Sequence, residues 1–282
     1  MENSTNQEQL LGLEDLEATE SSGWVLGYAQ NVGARQQQQD CLGTATGSFQ
    51  GKPVLLAVLA DGMGGMKNGA EFSRIAVSFH VNHLQRILDE CSALPNALLK
   101  LAVQANDEAH KIFEEDRPGG TTLISALFAE DRFYTLSVGD SRICLFREIQ
   151  AHRYVPLQLN REHLFGAALD ERAWMGDISF DDAKNNMFRD SLNSAIGESK
   201  IRHIDRTLNS TRFLGRDRLV LMSDGIYRSY SETELARAMD SEPKEAADRI
   251  VEDICRKKIP HQDNMSILII GRKQERKGTA DV

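Results

Sequence analysis

Three aspartates in this chain stand where a short hydrophobic run begins or ends. The run Val54-Leu55-Leu56-Ala57-Val58-Leu59-Ala60 stops at Asp61-Gly62-Met63-Gly64-Gly65. The run Leu219-Val220-Leu221-Met222 stops at Ser223-Asp224-Gly225, and Asp263, within Gln262-Asp263-Asn264, stands just ahead of Met265-Ser266-Ile267-Leu268-Ile269-Ile270. Short apolar runs bounded by turn residues read as buried strands. A sheet would therefore hold the three carboxylates at strand ends and aim them at one point. Gathered carboxylates repel and raise each other's pKa unless a cation holds them together, and hard oxygen ligands suit Mg²⁺ or Mn²⁺. The chemistry expected is metal-assisted hydrolysis. Water bound to such a cation loses a proton more readily and becomes a nucleophile. Taken singly, each Asp-Gly pair reads equally well as an ordinary turn after a strand; the three together carry the metal reading.

The elements that must position these residues follow from the apolar pattern. Strands are expected at 24–29, 41–48 and 54–60. Helical spacing then takes over at Phe72, Ile75, Ala76, Phe79, His83, Leu84, Ile87 and Leu88. Pro95 is read as a break before a second helix carrying Leu98, Leu101, Ala102, Ala105, Ala109, Ile112 and Phe113 on one face. Strands resume at 121–129, 133–138, 142–147 and 152–157. The polar stretch 164–190 reads as an irregular insertion, a flap beside the cleft, with Trp174, Met175 and Phe188 as possible substrate contacts and a mobile polar loop as the equal alternative. Further strands are expected at 192–196, 212–214 and 219–222. Ser231-Glu232-Thr233-Glu234 signals a capped helix, a second helix covers 243–257, and a last strand runs 265–270. Strands, two helices, many strands, two helices and a strand make an α+β fold of mostly antiparallel sheet with segregated helices. Residues 1–21 read as a flexible leader, in which Leu10, Leu11, Leu13 and Leu16 form at most one amphipathic turn. Residues 272–282 read as a charged tail.

Composition narrows the partners. The chain has 282 residues, 41% of them hydrophobic, and a formal net charge of -9, so it can bury a sizeable core. It has no basic run, and phosphate backbones and anionic lipids need clustered Lys and Arg; nucleic acid and membrane are excluded as partners. The start lacks a basic region followed by an apolar one, and no apolar stretch approaches a membrane span. Cys41, Cys91, Cys144 and Cys255 show no C-x-x-C spacing and read as reduced thiols of a cytoplasmic protein, without a role.

The ordered motifs resemble the metal-dependent serine/threonine protein phosphatases of the PPM, or type 2C, family, in a bacterial-style single-domain form. The matching pieces are Arg35 through Asp40, Asp61-Gly62-Met63-Gly64-Gly65, Gly119-Gly120-Thr121-Thr122 and Ser137-Val138-Gly139-Asp140-Ser141-Arg142. Leu192-Asn193-Ser194-Ala195-Ile196-Gly197, Ser223-Asp224-Gly225 and Gln262-Asp263-Asn264-Met265-Ser266 follow in family order, and the whole spans residues 22–271. The resemblance implies a four-layer αββα sandwich, two antiparallel sheets flanked by helix pairs, with two Mg²⁺ or Mn²⁺ ions at one edge. It implies that Asp61 bridges the ions with the Gly62 carbonyl on one of them, that Asp224 and Asp263 complete the other ion, that Asp40 supports the second ion through water, and that Arg35 holds the substrate phosphate. It also implies phosphorylated protein substrates and a cognate serine/threonine kinase. Asp140 reads as structural, pairing with backbone or with Arg142, and 119–122 as core packing beside the site.

Three positions depart from the family pattern. Gln39 replaces an acidic residue and removes one charge beside Asp40. Met66 stands where bacterial relatives carry a His that protonates the leaving alkoxide, a function typically worth about 10²–10⁴-fold. Asn160-Arg161-Glu162-His163 replaces a Thr-x-Asp-His pattern. Glu162 is therefore a candidate ligand, with Asp224, of a weak third ion, and His163 a candidate general acid whose duller reading is a partly exposed loop histidine. These departures leave an alternative, a degenerate phosphatase that binds phosphoproteins without efficient turnover. A hydrolase of small phosphoesters is a third, weaker reading.

Overall fold

The computed structural model describes residues 10–11, 23–63, 68–112 and 119–273. Two sheets face each other. The first has the order β1 (Leu10–Leu11), β3 (Asp40–Phe49), β4 (Lys52–Asp61), β5 (Leu123–Ala129), β6 (Arg132–Val138) and β10 (Thr211–Arg212), with β9 (Asp205–Arg206) also on β6. The second has the order β2 (Trp24–Asn31), β12 (Met265–Arg272), β11 (Arg218–Met222), β7 (Arg142–Gln150) and β8 (Arg153–Gln158). Every pairing is antiparallel except β1 with β3.

The run 54–60 is apolar throughout because both faces of β4 are covered. Leu56, Val58 and Ala60 pack beneath helices α1 (Gly69–Glu90) and α2 (Leu94–Ile112), while Leu55, Ala57 and Leu59 enter the core between the sheets. On the other outer face, α6 (Glu232–Ala238) and α7 (Pro243–Lys257) cover Val220, Met222, Ile267 and Ile269. The result is the expected four-layer αββα sandwich. The Ser231 capping box is complete, with both reciprocal bonds to Glu234.

Several elements differ from the sequence reading. Pro95 breaks nothing: it lies in the first turn of α2, where a backbone N–H has no acceptor to lose. The insertion is helical, with α3 (Phe165–Met175) and α4 (Phe180–Lys184) enclosing a small core of Leu169, Ala173, Ala183 and Ile178. So few apolar anchors leave too thin a period to read. Residues 192–196 form no strand; they make single bridges to two different partners, Leu164 with Leu192 and Thr121 with Ile196. Ser194 meanwhile accepts from the His203 amide and donates to its carbonyl. Leu10 and Leu11 pair parallel with Leu42 and Gly43, so this part of the leader is a strand and not a helical turn; its remaining residues lie outside the described ones. Arg272, assigned to the tail, belongs to β12 and lies over the Trp24 ring at 3.7 Å.

One buried group of α1 gives the fold a pH dependence. His80 is fully buried, its Nδ1 donates to the Ala76 carbonyl at 2.8 Å, and its Nε2 has no partner among the described residues. Burial pushes its pKa down from 6.5 to about 4. Between those values the unfolded chain binds a proton that the native chain refuses, so this histidine's contribution falls as pH falls. Relative to a non-titrating His80→Gln variant, the wild type should lose about 1.5 kcal/mol between pH 6.5 and pH 5. Urea unfolding of both proteins at the two pH values measures it; parallel shifts would contradict the assignment.

Candidate active site

Asp40 and Asp61 face each other across β3 and β4 as register partners. The Asp61 amide donates to Thr122 Oγ1 at 3.0 Å, and the Thr122 amide returns a bond to the Asp61 carbonyl at 2.9 Å. Asp40 is wholly buried; its Oδ2 accepts from Ser223 Oγ at 2.9 Å, and its Oδ1 has no hydrogen-bond partner among the described residues. Ser223 directly follows β11 of the opposite sheet, so this bond crosses the sandwich. One residue on, Asp224 opens the helical turn α5 (Asp224–Tyr227). Asp263, before β12, accepts its neighbour's Asn264 amide at 2.8 Å. Asp140, in the turn between β6 and β7, is also buried.

Mutual electrostatics identify these five as one cluster. Desolvation pushes Asp61 well above the carboxylate range, and the charges of Asp40, Asp224, Asp140 and Asp263 push it further. Burial raises Asp40 to about 7 and Asp140 to about 6, with Asp224 adding to both. Asp224 is raised by burial despite the nearby Arg228. Two arginines oppose this charge. Arg35 Nη2 lies 2.7 Å from Asp263 Oδ2, while Arg228 reaches Asp224 at 3.2 Å and Asp140 at 3.5 Å.

An oxygen-only donor set, a buried carboxylate oxygen without a partner, and pKa values that a cation would reverse all fit a hard divalent ion. Among the described residues no three such side chains are already arranged to hold an ion, and Asp263 and Asp224 pair with Arg35 and Arg228.

The Asp-Gly pairing has a steric cause. A Cβ on Gly62 would lie 2.3 Å from the Gly69 carbonyl oxygen, and one on Gly225 would lie 2.0 Å from that of Asn264. Backbones pass so closely here that no side chain fits.

The polar neighbours of Asp263, unassigned by the sequence reading, assemble the site. Asn264 Oδ1 accepts from the Gln39 amide at 2.8 Å, and its Nδ2 donates to the carbonyls of Val32 and Gln37, which pins the loop carrying Arg35. Gln262 donates to the Gly225 carbonyl and accepts from Ser229, which fixes the Asp224 turn. Their near-complete burial just ahead of a core strand is the physical feature that sets them apart, and only the fold reveals it.

Other candidates are placed differently from their sequence assignments. Asp140 pairs with Arg228 and not with Arg142, which stacks on Tyr227 at 3.7 Å and bonds Glu162 Oε1 at 2.6 Å. Glu162 is thus already partnered. His163 Nδ1 accepts from the Gly139 amide at 3.1 Å, its ring faces His203, and burial lowers its pKa. No described contact links it to the five aspartates, so it is not brought into the cluster as a proton donor. Thr121 and Thr122 are buried and brace Gly62 and Asp61. The Gln39 carbonyl takes the Gly62 amide and the Ser73 hydroxyl. Gly64, Gly65 and Met66 lie outside the described residues.

Fold and site together define a class, an α+β sandwich with an acidic centre shared between its two sheets. The family model for protein phosphatase 2C matches residues 30–259. The serine/threonine phosphatase stp of Listeria monocytogenes is 30% identical over 235 residues, 79% of this chain and 86% of that one. The serine/threonine protein phosphatase PstP of Mycobacterium tuberculosis is 29% identical over 219 residues, 76% of this chain and 40% of that longer one. Among solved structures, Stp1 from Staphylococcus aureus has a TM-score of 0.68 at 21% identity, covering 88% of this chain and 95% of that one. The catalytic domain of PstP in complex with 2 manganese ions has a TM-score of 0.66 at 24% identity, covering 89% and 99%. The chain belongs to the protein phosphatase 2C family. It is by that membership a metal-dependent protein phosphatase of the serine/threonine type.

Proposed function

We propose that this enzyme hydrolyses phosphoserine and phosphothreonine in proteins by direct attack of water, with two Mg²⁺ or Mn²⁺ ions held by Asp40, Asp61, Asp224, Asp263 and the Gly62 carbonyl. The observation that carries this reading is the Asp61 carboxyl, raised by burial and by four other carboxylates, one of which, Asp263, pairs with the exposed Arg35. When bound, the ions supply positive charge for the phosphoryl oxygens and an acidified water.

The residues contribute the rest. Arg35 receives the phosphate. Its pair with Asp263 is two-fifths exposed on both sides, and such surface pairs are worth about 0–1 kcal/mol, so exchange of a carboxylate for a phosphate dianion costs little. The planar guanidinium then matches two phosphate oxygens at once. Arg228 balances Asp224 and Asp140 and limits how much charge the cluster presents to an incoming anion. A third ion on Glu162 and Asp224 would have to draw Glu162 Oε1 from Arg142 and Asp224 Oδ2 from Arg228. A serine/threonine kinase must supply the substrates.

Among the described residues no helix is long and apolar enough to cross a membrane. We place the enzyme in the cytoplasm, where its four unpaired cysteines stay reduced.

Purified protein should release phosphate from p-nitrophenyl phosphate and from a phosphothreonine peptide with Mn²⁺ or Mg²⁺, and chelator should abolish both. No release at millimolar Mn²⁺ would leave the binding-module alternative. Release from the small ester but from no phosphopeptide would leave the small-phosphoester hydrolase.

A further inference from the structure

We propose that the Arg228 guanidinium is a resident cation between Asp140 and Asp224: it takes a place that a divalent ion would otherwise fill, and so limits how many ions the acidic centre holds. The proposal deepens the two-ion reading above and rests on it.

The placement of Arg228 follows from the turn that carries Asp224. Residues Asp224 to Tyr227 form α5, and the Arg228 amide closes it by donating to the Asp224 carbonyl at 3.0 Å. Residues four apart on a helical turn share one face, so the Arg228 side chain folds back over the Asp224 carboxylate. Its Nε lies 3.2 Å from Asp224 Oδ2, and its Nη2 lies 3.5 Å from Asp140 Oδ2. Nε and Nη2 form one edge of the guanidinium fork, which ordinarily receives both oxygens of a single carboxylate. Here that edge receives one oxygen from each of two carboxylates, on turns far apart in the chain. Two carboxylate oxygens brought to one positive centre are also what a hard divalent ion takes.

The surroundings leave this place to Arg228. Tyr227 Oη donates to the Asp140 carbonyl at 3.2 Å, so consecutive residues of one turn hold the backbone and the carboxylate of the other. The neighbouring arginines are engaged elsewhere. Arg142 lies over the Tyr227 ring and bonds Glu162 at 2.6 Å, and Arg35 bonds Asp263 at 2.7 Å. Among the described residues no other Lys or Arg pairs with Asp140 or Asp224. The side chains of Asp140 and Asp224 are 9% and 19% exposed, whereas that of Arg228 is 51% exposed. Removing the guanidinium therefore takes little from the core, yet leaves two largely buried carboxylates to repel each other. A hard cation relieves that repulsion.

The test counts bound ions by equilibrium dialysis of the full chain against millimolar Mn²⁺. Arg228→Met, which keeps an apolar stem and removes the charge, should bind about one ion more per chain than the wild type. Arg228→Lys, which keeps a positive charge, should bind the wild-type number. Asp140→Asn introduced into the Arg228→Met chain removes one of the two carboxylates without touching Asp40, Asp61, Asp224 or Asp263, and should return the count to that of the wild type. An Arg228→Met chain that binds no more Mn²⁺ than the wild type overturns the proposal. So does an extra ion that persists with Asp140→Asn, or one that Arg228→Lys also gains. Should Arg228→Met fail to fold, Arg228→Gln, which is neutral and carries a shorter side chain, gives the same comparison. A wild type that binds no Mn²⁺ at all is a different result and removes the two-ion reading itself.

Discussion

Asp61→Asn should lower phosphate release by at least about 10³-fold and at the same time leave the protein equally stable or more stable in divalent-free buffer. The first effect follows from the proposed role of this carboxylate in holding the ions: loss of about 4 kcal/mol of charge stabilisation corresponds to roughly three powers of ten in rate. The second follows from the sign of its pKa shift. Asp61 is raised above its unfolded value by desolvation and by Asp40, Asp224, Asp140 and Asp263. Such a group, when ionised at neutral pH, destabilises the native state, and this penalty fades as pH falls below its folded pKa. The neutral amide removes that repulsion and keeps the backbone bonds to Thr122, which do not involve the carboxylate. Urea unfolding of both proteins in chelator, at pH 7 and pH 5, with phosphopeptide turnover in Mn²⁺, measures both effects. A variant that is both inactive and destabilised would show that the carboxylate is structural.

Gly225→Ala should fail on both counts. Its Cβ would meet the Asn264 carbonyl oxygen at 2.0 Å and the carbonyl carbon at 2.9 Å, and backbone cannot swing aside as a side-chain tip can. The α5 turn and the segment bearing Asp263 must separate. Overpacking of this kind costs about 3 kcal/mol or more. Because the displaced segments carry Asp224 and Asp263, a shift of about 1 Å should also cost about 10²-fold in kcat/KM. Gln262, which donates to the Gly225 carbonyl, would lose its anchor in the same movement. Denaturation midpoints and steady-state kinetics of the variant check this, and wild-type kinetics in a folded variant would contradict the close-approach explanation.

How much was legible in the sequence depended on what kind of signal each residue leaves. Asp61 and Asp224 stood out because runs buried on both faces are apolar without interruption, and an Asp-Gly pair punctuates them. Arg35 and Asp40 had no such frame and entered only through the resemblance. Asp140 was read as a turn residue because nothing local says that its partner is Arg228, 88 positions away. Asn264 and Gln262 were passed over for the same reason: their partners, Val32, Gln37, Gln39, Gly225 and Ser229, are mostly far off in the chain. The flap helices were missed because a two-helix unit with three buried anchors leaves little periodicity, although Ser179 at the start of α4 and Gly176 at the end of α3 are recognisable caps. The 192–196 segment misled in the opposite direction, since its apolar ends pair with different neighbours and never form a ladder.

The Ser223 hydroxyl on Asp40 joins the two halves of the molecule at the one edge where their acidic groups meet. Asp40 and Asp61 come from one layer, and Asp224 and Asp263 from the other. A cation gripped by all four, as proposed, would be a clasp across the sandwich, and prying the layers apart would mean letting it go. Heat resistance should then climb with the logarithm of free Mn²⁺ once the ion exceeds its dissociation constant, so the enzyme's durability would be set by the same supply of metal that sets its rate.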